Sequence, residues 1–116
     1  MTPQLQIAVE AAQDRKALRL SILNLGENCS FTSYFLICTS TSNRHAQAIC
    51  NAVLEKLKKS GLTPTHVEGY NQGEWILIDY LNFVVHIFSE RARDFYDLER
   101  LWRTAPRVTV KESDED

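Results

Sequence analysis

No part of the sequence contains the roughly 18 consecutive apolar residues that mark a membrane-spanning helix; its longest apolar stretches are strand-sized. The beginning of the chain also lacks a basic segment followed by a hydrophobic run. It alternates polar and apolar residues and carries Glu10 and Asp14. A cleaved secretory signal is therefore not expected, and a cytoplasmic or organelle-interior location is. Glycine is scarce, at four residues, and no glycine-rich phosphate loop, serine nucleophile elbow or pair of zinc ligands is present. Cysteine is limited to Cys29, Cys38 and Cys50, an odd number without close spacing, which excludes a disulfide framework and a zinc knuckle. Cys38 lies in an apolar strand and Cys50 on an apolar helical face, so both read as small buried hydrophobes. His45, His66 and His86 are spread over three elements, so neither a metal nor a cofactor is expected.

What is present is enough for one core and too little for two. The chain has 116 residues, 44% of them hydrophobic, with five Phe, four Tyr and two Trp. Thirteen basic and fifteen acidic side chains leave a formal charge of -2, and Glu112, Asp114, Glu115 and Asp116 crowd the last five positions. Residues 1–106 are expected to form a single α/β domain and residues 107–116 an acidic, disordered tail. Without that tail the body is close to neutral. An affinity driven mainly by phosphate contacts is then not expected, although a local basic patch is compatible with it.

Periodicity supplies the elements. Thr2 followed by Pro3 reads as a helix cap with proline at the first helical position, and Leu5, Ala8, Val9 and Ala12 recur at helical spacing to about residue 16. A strand is expected from Leu18 to Leu25, and a loop from Gly26 to Ser30. Phe35, Leu36, Ile37 and Cys38 show no alternation, as in a strand covered on both faces. A second helix carries Ala46, Ile49, Cys50, Val53, Leu54 and Leu57 as one stripe and stops at Gly61. A short strand at Thr65 to Gly69 leads through a polar loop into two dense strands, Trp75 to Tyr80 and Phe83 to Phe88. If Leu81-Asn82 is a two-residue turn, Trp75, Leu77, Asp79, Val84, His86 and Phe88 share one face. Ile76, Ile78, Tyr80, Phe83, Val85 and Ile87 share the other, and both faces need covering. Ser89 and Glu90 open a final helix with Ala92, Phe95, Leu98, Leu101 and Trp102 as its apolar surface and Pro106 beyond its end. Three main helices packed on a five-stranded mixed sheet are expected.

Few groups suggest chemistry. Thr39, Ser40, Thr41 and Ser42, between a strand and a helix, read either as a cap with solvated neighbours or as a phosphate-sized anion site. Asp79 and His86 lie diagonally across adjacent strands, but no third group completes an acid–base site. Asp79 is the sole acidic side chain between Trp75 and Ser89, which is too few for two-metal chemistry. Arg44 and His45 occupy the first turn of the second helix, where a positive charge costs on the order of 0.3–1 kcal/mol against the helix dipole. Surface solvation and contact with a partner or an RNA backbone both fit them. Trp75, after the loop Gly69 to Glu74, either anchors an interface or closes the core edge. Trp102 either docks the final helix or extends an apolar patch.

Six segments together resemble the ribosomal silencing factor family, also called Iojap-related. They are Thr32 to Thr39, Ser42 to His45, Val67 to Gly69, Gly73 to Tyr80, Val84 to Phe88, and Arg93 to Trp102. Their order and spacing carry the resemblance over nearly all of residues 3–105. The resemblance implies a nucleotidyltransferase-like α/β fold without working nucleotidyltransferase chemistry. It implies a non-enzymatic translation repressor that binds the large ribosomal subunit at its protein fourteen, blocks joining of the small subunit, and is homodimeric when free. It also implies partner-binding roles for Glu68 and Gly69 at the loop entrance, Trp75 at the strand head, Arg44 and His45 on the second helix, Asp79, Tyr80 and His86 on the hairpin, and Leu98, Leu101 and Trp102 on the final helix. The chain departs from the family pattern at Asn24, Ser33, Ser40 and Leu81-Asn82, where aspartate or glycine is usual. Two other functions remain open. One is direct RNA binding through Arg44, Lys56, Lys58 and Lys59; the other is a small nucleotidyltransferase or phosphohydrolase using the hydroxyl run and Asp79.

Overall fold

Hydroxyl side chains start the helices at the positions the sequence marks. A computed structural model describes residues 2–26 and 29–110. Helix α1 (Pro3–Asp14) is capped by Thr2, whose Oγ1 accepts from the Leu5 amide at 3.2 Å, with Pro3 at the first helical position. Helix α2 (Asn43–Lys59) is capped by Ser42 and helix α3 (Glu90–Tyr96) by Ser89, through the His45 and Ala92 amides at 3.0 and 3.1 Å. A four-residue helix, α4 (Leu98–Leu101), follows directly.

The strands are β1 (Leu18–Asn24), β2 (Tyr34–Ser40), β3 (His66–Glu68), β4 (Trp75–Asp79), β5 (Phe83–Ser89) and β6 (Arg107–Val108). They form one mixed sheet in the order β3-β4-β5-β2-β1-β6; β2 and β5 run parallel and every other neighbouring pair is antiparallel. The β4–β5 register is the one a two-residue turn requires, pairing Trp75 with Phe88, Leu77 with His86 and Asp79 with Val84. Leu81 takes a left-handed φ of 71° in that turn, and its amide donates to Asp79 Oδ1 at 2.8 Å.

The register sorts the side chains into two clusters. Ile76, Ile78, Tyr80, Phe83, Val85 and Ile87 pack under α1 and α2 with Leu5, Ile49 and Val53. Phe35, Ile37, Val84 and Phe88 face the opposite side with Ala92, and Trp75, Leu77, Leu98 and Trp102 pack against them. The long helices cover the first face, of 12 and 17 residues; helices of 7 and 4 residues cover the second. The second face is thinly roofed.

Three expectations are corrected. The sheet has six strands rather than five, and the five-stranded nucleotidyltransferase-like description does not hold. Beyond Pro106, β6 pairs Val108 with Ile22 and Arg107 with Leu23. The β-branched run Val108-Thr109-Val110 carried that strand signal, but the acidic composition just after it suggested a tail from residue 107. The rest of that expected tail, 111–116, lies outside the described residues. The final helix, expected to continue to Trp102, breaks at Asp97 with φ 46°.

The break has a physical reason. Arg93 is 4% exposed, and its Nε and Nη2 donate to the two Glu99 carboxylate oxygens at 2.9 and 3.0 Å. In an unbroken helix, residues six apart sit about 120° around and about 9 Å along from one another, so this fork would be out of reach. The turn at Asp97 brings Glu99 back. Arg93 Nη1 also donates to Thr39 Oγ1 at 3.0 Å and to the Arg19 carbonyl at 2.6 Å. Arg19 has φ 49° where the β1–β2 register shifts between Leu18 and Ser21. Burial alone pushes the Glu99 carboxyl up, but hydrogen bonds and charge from Arg93, with Ser21 and Arg107, hold it below its ordinary value. Glu99→Ala should lower the unfolding free energy by about 3–5 kcal/mol in urea titration, because it leaves the guanidinium buried and unpaired. Adding Arg93→Met should recover much of that loss.

Candidate functional site

The loop between β3 and β4 is shaped by two glycines. Gly69 has φ +78°, and a Cβ there would run into the Trp75 carbonyl oxygen. Gly73 has φ +71°, donates its amide to the Gly69 carbonyl at 3.0 Å, and leaves a Cβ only 2.9 Å from Asn43 Cβ. Side chains of α2 fasten the loop: Gln47 Nε2 donates to the Tyr70 carbonyl at 2.9 Å, and Tyr70 Oη donates to Asn51 Oδ1 at 3.1 Å. At the other end, the Ser89 amide donates to the Glu74 carbonyl, and Ser89 Oγ donates to Glu74 Oε2 at 2.7 Å. Trp75 therefore leaves a loop held on both sides.

Trp75 itself is half-buried in an aromatic network. Its indole N–H donates to His86 Nδ1 at 3.0 Å, and its ring lies 5.0 Å from Phe88 and 4.6 Å from Tyr96. Tyr96 meets Phe95 edge-on at 5.0 Å. Phe95 is 78% exposed, Leu101 73% and Tyr96 48%. Exposed apolar side chains thus extend outward from Trp75 over α3 and α4. They are rimmed by Asp94, Asp97, Arg100 and Arg103, which share a shallow depression with Phe95, Tyr96 and Leu101.

The other candidates divide between surface and core. Glu68 is exposed at the sheet edge, and Gly69 is exposed at the loop entrance. Arg44 is exposed. His45 is half-buried and bridges the segments around it: Nδ1 accepts from the Thr41 amide at 2.9 Å, so Nε2 carries the hydrogen donated to the Arg15 carbonyl at 2.7 Å. Tyr80 is buried beneath α1 and α2, stacked on Phe83 at 5.0 Å, and burial raises its hydroxyl pKa. Asp79 holds the hairpin turn and makes no pair with His86. Leu98 and Trp102 are half-buried against the second cluster, with Trp102 edge-on to Phe35 at 6.0 Å. Leu101 reaches solvent.

The hydroxyl run is engaged by the fold: Thr39 accepts from Arg93, Ser40 donates to the Phe88 carbonyl at 3.4 Å, and Ser42 caps α2. Burial pushes the Cys38 thiol up to about 12 and the Cys50 thiol to about 11, so neither supplies a thiolate near neutrality. Among the described residues, no group of three or more His, Cys, Asp or Glu is placed to hold a metal ion, and no helix is long and apolar enough to cross a membrane.

Tyr96 and Phe95 were not singled out from sequence as part of a site. Helical spacing assigned Phe95 to a buried face with Ala92 and Leu98, whereas the inward aim of Arg93 sets a helix rotation that turns it outward. The Trp75–His86 bond was also missed. In the β4–β5 register both Trp75 and Asp79 are diagonal neighbours of His86, and pattern alone does not say which one bonds.

Two consequences are measurable. Gly69→Ala should cost roughly 1–3 kcal/mol in chemical unfolding and shift the tryptophan emission, because left-handed strain and the Trp75 carbonyl oppose a Cβ. His86 is 4% exposed, and burial lowers its pKa to about 3 from an ordinary 6.5. The unfolded chain therefore takes up this proton at higher pH than the folded one. The contribution to stability is complete above about pH 6.5 and is lost as pH falls toward 3, by up to about 1.4 kcal/mol per pH unit. Urea midpoints measured from pH 7 to 4 should show this slope, and His86→Asn should flatten it.

The family model described as "Ribosomal silencing factor during starvation" matches residues 1–116. The protein named ribosomal silencing factor RsfS from Halalkalibacterium halodurans is 37% identical over 107 residues, covering 92% of each chain. Its namesake from Bacillus subtilis is 33% identical over 102 residues, covering 88% of this chain and 86% of that one. A crystal structure of a Chromobacterium violaceum protein superposes with a TM-score of 0.84 at 33% identity, covering 98% of both chains. The fold is thus that of these relatives, which replaces the nucleotidyltransferase-like description. Over its whole length, this chain belongs to the ribosomal silencing factor family, a family of non-catalytic regulators.

Proposed function

We propose that the protein binds the large ribosomal subunit through its protein fourteen and sterically prevents the small subunit from joining, thereby repressing translation. The observation that carries this reading is the aromatic surface led by Trp75, with Tyr96, Phe95 and Leu101 exposed beside it, in a chain of this family. Large aromatic groups in a preformed cluster are the usual energetic centre of a protein interface. The charged residues around the depression suit a polar rim that sets orientation. A domain of this size needs to bury roughly 1,000 Å² or more for a specific complex. The thin roof over the second sheet face offers its apolar groups without any prior unfolding.

Glu68 and Gly69 act by setting the loop path, and Arg44 with His45 by supporting its α2 side. Asp79 and Tyr80 keep the hairpin in register, while Leu98 and Trp102 hold α4 beneath exposed Leu101. The free protein is a homodimer in the cytoplasm or an organelle interior, and contact with ribosomal RNA is secondary. A binding mode led by RNA is disfavoured because the body is close to neutral, and Lys56 pairs with Asp14 at 3.1 Å and Lys59 with Glu55 at 3.4 Å, which offsets part of the positive charge on α2.

The test is co-sedimentation with separated subunits, followed by addition of the missing subunit. Selective binding to large subunits, with fewer joined ribosomes, is expected. Trp75→Ala should weaken that binding by at least about tenfold while leaving the fold intact. Equal binding to both subunits, or unhindered joining at saturation, would reject the mechanism.

A further inference from the structure

We propose that His86 is a positioning residue: it acts on the partner only through Trp75, by accepting the indole N–H and holding that ring in its docking orientation. The inference rests on the docking role of Trp75 proposed above and changes what His86 is expected to do. At 4% exposure, His86 has almost no surface to offer a partner. Its Nδ1 instead lies 3.0 Å from Trp75 Nε1, diagonally across β4 and β5. Because the indole only donates, Nδ1 must be the unprotonated nitrogen. Burial disfavours the imidazolium, so the acceptor stays available throughout the physiological range.

The surroundings make this a clamp. The imidazole stacks nearly parallel to Phe88, with an interplanar angle of 7°, and meets Phe35 edge-on with centroids 4.5 Å apart. Those two neighbours limit rotation of the imidazole. Trp75 is then held by the hydrogen bond on the strand side, by Phe88 at 5.0 Å, and by Tyr96 at 4.6 Å on the helix side. A half-buried indole without that bond has an unsatisfied N–H and can adopt other ring orientations. Ordering such a side chain on binding weakens an interface by roughly twofold to tenfold. His86 Nε2 has no hydrogen-bond partner among the described residues, so no other hydrogen bond in this structure accounts for the ring's retention in an apolar cluster.

The experiment compares wild type, His86→Asn, His86→Leu and Trp75→Ala by indole N–H resonances in NMR and by affinity for purified large subunits. Asparagine keeps an acceptor near the Nδ1 position; leucine keeps bulk without one. Trp75 and Trp102 are the only tryptophans, so the resonance lost in Trp75→Ala identifies the relevant signal. In His86→Leu the Trp75 resonance should move and exchange with solvent at least about tenfold faster, and binding should fall by roughly twofold to tenfold. Both should return toward wild type in His86→Asn. An unchanged Trp75 resonance in folded His86→Leu overturns the proposal. So does a loosened indole with undiminished binding, provided Trp75→Ala still weakens binding. If Trp75→Ala leaves binding intact, the docking reading itself fails, which is a separate result. If His86→Leu does not fold, His86→Asn decides: a wild-type indole signal and affinity support the clamp, and loss of both in a folded protein overturns it.

Discussion

A guanidinium that is 4% exposed cannot leave its charge or its hydrogen-bond donors unsatisfied, and much of the second sheet face is arranged around meeting that demand at Arg93. Glu99 accepts two of its donors, Thr39 one and the Arg19 carbonyl another. Two of these partners require a departure from regular structure. Glu99 reaches back only because the helix breaks at Asp97. The Arg19 carbonyl is presented from the irregular part of β1. Arg93 thereby ties α3, α4, β1 and β2 together, and exposed Arg19 adds ion pairs to Glu90 and Asp94 at 3.0 and 3.3 Å. Those outer pairs are screened by solvent and contribute little; the buried fork sets the geometry.

That constraint shapes the candidate docking surface. With Arg93 aimed at the sheet, Phe95 lies two residues and about 200° further round the helix, so it faces away from the core. The break also ends α3 early, leaving Tyr96 at its terminus, where one side of the ring contacts Trp75 and the other meets solvent. The fold therefore has an asymmetric use of its two sheet faces. Long helices bury the centre of one face and provide stability, while two short helices leave an aromatic edge on the other. Trp75 connects them: its loop is fastened to α2, on the stable side, and its ring belongs to the thinly covered side.

Much of the frame was legible in the chain itself. Thr2, Ser42 and Ser89 capped helices as expected, and the β4–β5 register followed from alternation on either side of Leu81-Asn82. The unalternating run from Phe35 to Cys38 proved to be a strand packed on both faces. Sequence composition misled at one boundary, where the acidic residues after Val110 obscured the short β6 strand. Periodicity misled at another, where an apolar stripe through Phe95, Leu98 and Trp102 read as one helix.

The candidate site was only partly legible. Trp75 and its loop stood out because an aromatic beside a glycine-bounded polar loop is a local feature. Phe95 and Tyr96 did not, because their exposure depends on which way a helix is rotated. That rotation follows from the Arg93–Glu99 fork, a pairing at a spacing that regular helices do not bring together. His86 was visible as an unusual residue in an apolar strand, yet the choice between Trp75 and Asp79 as its neighbour needed the actual side-chain directions. Local periodicity and capping thus determined the elements and the strand register. Long-range charge satisfaction and side-chain packing, which no spacing rule encodes, decided where α3 breaks, which aromatics face outward and how Trp75 is held.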